Sequence, residues 1–238
     1  MEFDGQRSRK SVQANPIIEP KKLNDLKPPS LEGYDLKQYF VPEIVMPFPA
    51  SRGCYWRKCS FCDHDFGMHY NIKSIDKLVE EIRNFKEKYG IRKFEFIDEA
   101  ISPSYLEAMS KRFIEEKLDV EFFCDARLEN EFSQEILDVA HKAGLRMVLW
   151  GYESGSKRIM DLINKGIDVD KRLEILARAD KAGIYNFVFI FFGFPAETKE
   201  DTLMTIDEIA LSFHLMSREI IMLYLCKYGT KSVANYKF

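Results

Sequence analysis

Three cysteines, Cys54, Cys59 and Cys62, stand within nine residues of one another in the segment SRGCYWRKCSFC. A hydrophobic core does not need three sulfurs on one short turn, whereas three thiolates this close can converge on one metal centre. A closed structural zinc site takes four protein ligands, while an iron–sulfur cluster held by three cysteines leaves one iron free to bind something else. The segment therefore predicts a metal centre with one open coordination position.

A zinc site is the main alternative. His64 follows the third cysteine by two residues and would complete a set of four ligands with Cys54, Cys59 and Cys62. In that case the protein would be a zinc-stabilised binding module. A zinc clip, however, requires neither a repeated strand–helix pattern nor the glycine-containing motifs found later in this chain.

The composition is that of a soluble globular protein that works in a reducing compartment. Of the 238 residues, 46% are hydrophobic and 31% are charged, and the net charge of −3 gives no electrostatic signal for nucleic acid or an anionic membrane. The N-terminus lacks an apolar signal core, and the apolar run at 187–194 is too short to span a bilayer. Five cysteines, three of them clustered, do not resemble a disulfide framework. We therefore expect a cytoplasmic protein with no membrane partner.

The elements that must position the cysteines follow a strand–helix alternation. Short apolar runs predict strands at residues 43–48, 93–97, 120–124, 146–150, 186–192 and 220–225. Helical spacing of apolar residues predicts helices at 75–89, 104–117, 132–143, 156–163, 171–182 and 198–211. Helix ends are expected at Gly90, Gly144 and Gly183.

This alternation predicts an α/β fold, a partial (β/α)6 TIM-like barrel with parallel strands. Active sites in such barrels lie at the C-terminal ends of the strands, and the cysteine segment directly follows the first strand. Residues 1–39 are polar and contain several prolines, which predicts a flexible N-terminal arm or linker, with the core barrel at 40–238.

Several motifs resemble the radical S-adenosylmethionine (radical SAM) superfamily, and in particular the group that includes cobalamin-associated enzymes. They are SRGCYW and CSFC around the cysteines, GYESG at 151–155, NKG at 164–166 and GFPAET at 193–198. They occur in the family's order between about residue 40 and residue 238. The resemblance implies a barrel of the radical SAM type.

The chain departs from the family pattern in three ways. Four residues, rather than the common three, separate Cys54 from Cys59. We expect no cobalamin-binding domain within the residues that precede the core, since the first ~40 residues are too few for a separate domain. The sequence also ends just after the sixth predicted strand, which suggests a fragment or a C-terminal truncation.

The resemblance implies a 4Fe–4S cluster on Cys54, Cys59 and Cys62, with S-adenosylmethionine (SAM) on the open iron. Reductive cleavage of SAM would give a 5′-deoxyadenosyl radical that abstracts a hydrogen from the substrate. An electron donor such as flavodoxin or ferredoxin is then the expected partner. The substrate, a small molecule or a peptide, is not predicted by the sequence, because fold does not specify function. A degenerate, catalytically inactive fragment is a further alternative.

The resemblance also suggests SAM contacts at the ends of the strands. Phe61 would lie near the adenine, and Asp98 and Glu99 near the amino group. Arg127 would pair with the SAM carboxylate or with Glu153. The remaining candidates are Glu153 and Ser154 for the ribose hydroxyls and Gly193, Phe194 and Pro195 for the adenine. Each also has a plain structural interpretation as a packing aromatic, a solvated charge, a helix cap or a turn.

Overall fold

A computed structural model describes residues 22–62, 69–215 and 219–225. Six strands form one sheet, and two short strands, β2 and β3, form a separate antiparallel pair. In chain order the strands are β1 (Val45–Phe48), β2 (Ser51–Arg52), β3 (Asn71–Ile72), β4 (Lys93–Phe96), β5 (Glu121–Arg127), β6 (Leu145–Glu153), β7 (Tyr185–Phe192) and β8 (Glu219–Leu225). All six predicted strands are present, with ends that shift by up to three residues.

The large sheet has the order β1-β4-β5-β6-β7-β8, and every neighbouring pair is parallel. The strands therefore follow the chain across the sheet without a reversal, which is the arrangement of a partial (β/α)6 barrel. The predicted fold class is confirmed. All six strands present their C-terminal ends at one edge, where the loops that could carry chemistry meet.

Helices connect successive strands of the sheet. In chain order they are α1 (Ile75–Tyr89), α2 (Pro103–Glu115), α3 (Gln134–Ala143), α4 (Lys157–Ile163), α5 (Arg172–Lys181) and α6 (Lys199–Leu215). Serine side chains cap the N-termini of α1, α2, α3 and α4. Gly90 and Gly144 end α1 and α3 in the left-handed conformation, as predicted.

The core lies between the sheet and the helices. Phe122 on β5 meets Phe113 of α2 edge to face, with ring centroids 5.7 Å apart, and Trp150 on β6 meets Phe132 at 5.2 Å. These residues alternate along their strands with less buried ones. Because successive side chains point to opposite faces, the less buried set lines the concave side of the barrel. The two faces of the sheet therefore differ, one packed under helices and one open.

The C-terminal part of the predicted arm lies against the core. Leu23 is buried, and its backbone N–H donates to the Asn71 side chain at 3.0 Å. The Asn24 side chain accepts from the Ser74 N–H at 2.8 Å, at the start of α1. No helix in the described part of the chain is both long and apolar enough to cross a membrane.

Candidate active site

The cysteine segment begins where β1 reaches the C-terminal edge of the sheet. Ser51 and Arg52 pair with Ile72 and Asn71 to form the base of a loop that carries Cys54, Cys59 and Cys62. Cys54 and Cys59 are half-buried, and Cys62 is exposed. His64, the fourth ligand of the zinc alternative, lies outside the described residues. The structure thus puts the three thiols on the face where the barrel's active site was expected.

Asp98 supports the base of this loop from the end of β4. Its Oδ1 accepts from the Ala50 N–H at 2.9 Å and from the Ser51 N–H at a shorter distance. Burial raises the pKa of Asp98 to about 7, against the effect of these two hydrogen bonds, which lower it. Oδ2 is buried and has no hydrogen-bond partner within the described ranges. Asp98 therefore contacts the cysteine loop directly, whereas its neighbour Glu99 is only half-buried.

Arg127, at the end of β5, makes its ion pair with Glu129 and not with Glu153, which was one of its two predicted partners. Its Nε lies 2.7 Å from Glu129 Oε1, and its guanidinium also donates to the Lys165 carbonyl at 2.6 Å. The guanidinium carbon stands 4.6 Å from the centre of the Trp56 ring. Arg127 is buried, and these contacts stabilise its charge away from water. They also bring β5, the cysteine loop and the residues after α4 together.

Glu153 is paired with Lys165, and both side chains are buried. Glu153 also has a φ of +67°, which is uncommon for a residue with a side chain. A Cβ on Gly151 would stand 2.2 Å from Lys165 Nζ, so the first glycine of the GYESG motif leaves room for this ammonium. The motif thus brings the carboxylate of Glu153, whose backbone has a positive φ, and a buried cation to the end of β6.

The Cys59 thiol lies near these charges. Burial raises its pKa, while Lys165 and Arg127 act in the opposite direction. Its charged form also interacts unfavourably with Cys62 and with Cys54, so both of these sulfurs lie within electrostatic range of Cys59. Two cations thus stand where negative charge on the cysteines would accumulate.

The second half of the GYESG motif packs against α6. Ser154 is fully buried, and its Oγ lies 3.2 Å from Thr205 Oγ1. The Gly155 N–H also donates to Thr205 Oγ1, at 2.8 Å. A Cβ on Gly155 would stand 2.6 Å from Thr205 Cα. Ser156 caps α4. The predicted contact of Ser154 with a ribose competes with this structural use of the side chain.

A turn stabilised by Glu197 follows β7. Its Oε2 accepts from the backbone N–H groups of Gly193 and Phe194, and Gly193 has a φ of +83°. Phe194 and Pro195 are buried. The GFPAET motif therefore builds a corner at the strand end in which Gly193 carries no side chain, and the backbone there can be approached closely by a flat ligand.

Phe61 belongs to a row of contacting aromatic rings beside this corner. Its ring centre is 5.2 Å from that of Phe191, which is 5.9 Å from Phe194. Further along the concave face, Phe187 and Phe189 pack at 5.1 Å. On the opposite strands this face carries Glu95 and Asp125, and burial, together with the charges of Glu95 and Asp98, raises the pKa of Asp125 to about 7.

Sequence reasoning named the motifs but missed four residues that hold the loop: Tyr55, Trp56, Glu129 and Lys165. The Tyr55 hydroxyl donates to Glu129 Oε2 at 2.8 Å, and Trp56 Nε1 donates to the Asn164 carbonyl at the same distance. The NKG motif was the available signal, although its spacing alone does not reveal what it contacts.

The donor set fits an iron–sulfur cluster. Three thiols, with buried cations beside one of them, suit a soft metal centre with one open position. Within 22–62, 69–215 and 219–225, no three His, Cys, Asp or Glu side chains are already arranged as a metal site. The assignment of Cys54, Cys59 and Cys62 as ligands therefore stays a prediction.

A parallel partial barrel with a cysteine loop at its C-terminal edge is the arrangement expected of a cluster-binding barrel enzyme. Residues 48–209 match the radical SAM superfamily, and the chain belongs to that superfamily. This membership confirms the predicted family and agrees with the prediction of an enzyme.

Two curated relatives are similar to most of this chain. The chain is 31% identical over 198 residues to the "Uncharacterized methyltransferase PH0819" of Pyrococcus horikoshii, covering 80% of this chain and 42% of that protein. It is 27% identical to the "Putative methylthiotransferase MJ0865" of Methanocaldococcus jannaschii, covering 80% and 44%. The chain thus spans less than half the length of these two curated relatives.

Solved structures share the fold. TsrM from Kitasatospora setae, a radical SAM methyltransferase solved with tryptophan and a SAM analogue, has a TM-score of 0.65 at 18% identity. The match covers 75% of this chain and 35% of that one. The cobalamin-dependent radical enzyme OxsB has a TM-score of 0.61 at 15% identity, covering 73% and 27%. The predicted likeness to cobalamin-associated members is confirmed, and the zinc module is not favoured.

Proposed function

We propose that this chain is the radical-generating core of a radical SAM enzyme, with Cys54, Cys59 and Cys62 as the cluster ligands. The observation that carries the proposal is the position of the cysteine loop at the C-terminal edge of the parallel sheet, in a chain that matches the superfamily over 48–209. When bound, a reduced 4Fe–4S cluster and SAM supply a 5′-deoxyadenosyl radical that can abstract a substrate hydrogen.

The residues of this chain would bind and orient the cofactors and exclude water. Arg127 and Lys165 would offset the negative charge of the cysteine thiolates. Glu153 would accept hydrogen bonds from hydroxyls, and Glu99 would accept from an amino group. The corner at Gly193, Phe194 and Pro195, with Phe61 and Phe191, would receive the adenine. Asp98 and Ser154 remain candidates, although Asp98 Oδ1 and Ser154 Oγ already have hydrogen-bond partners in the structure.

The substrate would approach along the concave face. The aromatic side chains of β7 and the carboxyls of Glu95 and Asp125 would surround it there. Methyl transfer is a second candidate reaction, favoured by the methyltransferase names of the relatives and by the fold shared with TsrM. The electron donor would be a small redox protein such as flavodoxin or ferredoxin. A division into an arm at 1–39 and a core at 40–238, and a cytoplasmic location, belong to the same proposal.

Anaerobic reconstitution with iron and sulfide, followed by reduction in the presence of SAM, tests the proposal. We expect about four irons per chain, an EPR signal that SAM perturbs, and release of 5′-deoxyadenosine. A variant with all three loop cysteines replaced by alanine is the control. S-adenosylhomocysteine as a product would favour methyl transfer. One tightly bound zinc with no SAM-sensitive signal would contradict the proposal.

A further inference from the structure

The loop that carries the cysteines is held by the end of one helix. Ile163 closes α4, and Asn164 follows it in the left-handed conformation with a φ of +57°. We define residues 162–166, from Leu162 to Gly166, as the α4 clamp. Backbone and side-chain contacts connect four of its five residues to the cysteine loop.

The hydrogen bonds between the two segments are mutual. Within the cysteine loop, the Ser60 N–H donates to the Ile163 carbonyl at 2.7 Å, and the Ser60 hydroxyl donates to the Leu162 carbonyl at 2.7 Å. In the reverse direction, Asn164 Nδ2 donates to the Lys58 carbonyl at 2.9 Å. The two bonds from Ser60 use carbonyls at the end of α4 that have no partner within the helix.

Trp56 fills the space between the clamp and Arg127. Its Nε1 donates to the Asn164 carbonyl at 2.8 Å, and the Arg127 guanidinium stacks over its ring. Gly166 lies against the ring from the clamp side, with a φ of +67°, and a Cβ there would stand 1.9 Å from Trp56 Cζ2. Glycine is therefore required at 166 by the backbone and by the tryptophan.

The clamp also reaches β6. Lys165 directly precedes Gly166 in the clamp: its carbonyl accepts from Arg127, and its ammonium pairs with Glu153. The five-residue clamp thus contacts the cysteine loop on one side and the Glu153 carboxylate of the GYESG motif on the other.

We propose that the α4 clamp, through the contact of Gly166 with Trp56, positions the cysteine loop so that Cys59 and its neighbours can bind a metal. Lys165 connects the same loop to Glu153. The proposal rests on the proposed function only for the identity of the metal centre. The holding of the loop is a property of the protein without metal, and it can be measured there.

Gly166→Ala tests the clamp, with Gly90→Ala as its matched control. Gly90 has a φ of +70°, close to that of Gly166, but a Cβ at Gly90 meets nothing within 4 Å. Both variants carry the same backbone strain, and only the first displaces Trp56. The full chain, purified without metal, would be alkylated under reducing conditions, and modification of each loop cysteine would be followed by peptide mass spectrometry.

We expect alkylation of Cys59 to be roughly tenfold faster in Gly166→Ala than in Gly90→Ala, which corresponds to about 1.4 kcal/mol of lost loop docking. Iron bound after reconstitution should fall in the same variant. Equal alkylation rates in the two variants would overturn the proposal.

If Gly166→Ala does not fold, Trp56→Phe provides the same test, because it removes the Nε1 donor while retaining an aromatic ring. An unchanged rate of Cys59 alkylation in that variant would also overturn the proposed role of the clamp. Faster alkylation together with zinc in place of iron would leave the clamp intact and contradict only the proposed function.

Discussion

The Lys165 ammonium lies against the Glu153 carboxylate, and both groups are buried at the C-terminal edge of the barrel. The two residues are 12 positions apart, at opposite ends of α4. Their contact brings together two motifs, GYESG and NKG, that the sequence presents as separate. Because Lys165 also accepts a hydrogen bond from Arg127, the pair stands at the centre of the charges beside Cys59.

Neutralising one member of this pair should destabilise the fold. Lys165→Met leaves Glu153 as an uncompensated buried charge, which costs roughly 3 to 5 kcal/mol in comparable sites. The double variant Lys165→Met with Glu153→Gln carries no charge at this position and should recover most of the loss. Urea denaturation measures both. If the double variant is as unstable as the single one, the ion pair is not the cause.

The three loop cysteines should each be required for iron. Replacement of Cys54, Cys59 or Cys62 by alanine removes a thiolate ligand, so iron after reconstitution should drop from about four per chain to below about one. Cys124→Ala is the control, because Cys124 is fully buried on β5, away from the loop. Iron analysis and EPR provide the measurements. Full iron content in any loop variant would remove that cysteine from the ligand set.

Asp98 should make the protein less stable as the pH rises. Its folded pKa of about 7 lies above the ordinary value of 3.8, so between about pH 4 and pH 7 the native state binds more protons than the unfolded chain. The free energy of unfolding then falls as the pH increases through this window. Asp125 has a pKa raised in the same direction and contributes a further decrease.

Asp98→Asn should reduce this slope. The amide carbonyl can still accept from the Ala50 and Ser51 N–H groups, but the side chain no longer titrates. Relative to the native protein, the variant should gain on the order of 2 to 4 kcal/mol between pH 5 and pH 8. Denaturation at several pH values measures the difference, and parallel pH profiles would show that Asp98 is not the titrating group.

Arg127 should stabilise the protein through its two acceptors. Arg127→Lys keeps the charge but cannot reach both Glu129 and the Lys165 carbonyl with one planar group, so we expect a loss of about 1.5 to 3 kcal/mol. Arg146→Lys is the control, because Arg146 pairs with Glu121 at an exposed position. Thermal unfolding compares the two. Similar midpoints for both variants would argue against a supporting role of Arg127 in the loop.

The sequence by itself was sufficient for the fold class, the order of the strands and the family. Apolar runs such as 186–192 and the glycines at 90 and 144 are local signals, and parallel βαβ connections leave few alternative topologies. The sequence also predicted that Cys54, Cys59 and Cys62 lie at the C-terminal edge of the sheet, because they come directly after the first strand. These properties depend on residues that are close in the chain.

Only the tertiary structure decided which charges meet. The sequence suggested that Arg127 pairs with the SAM carboxylate or with Glu153, but the structure pairs Arg127 with Glu129 and Glu153 with Lys165. It also turns Asp98 toward the base of the cysteine loop. The directions of long side chains at the strand ends depend on how the loops pack over them, as with Trp56 against Gly166. The contacts of Trp56 join segments about 100 residues apart, and no local pattern in the sequence predicts them.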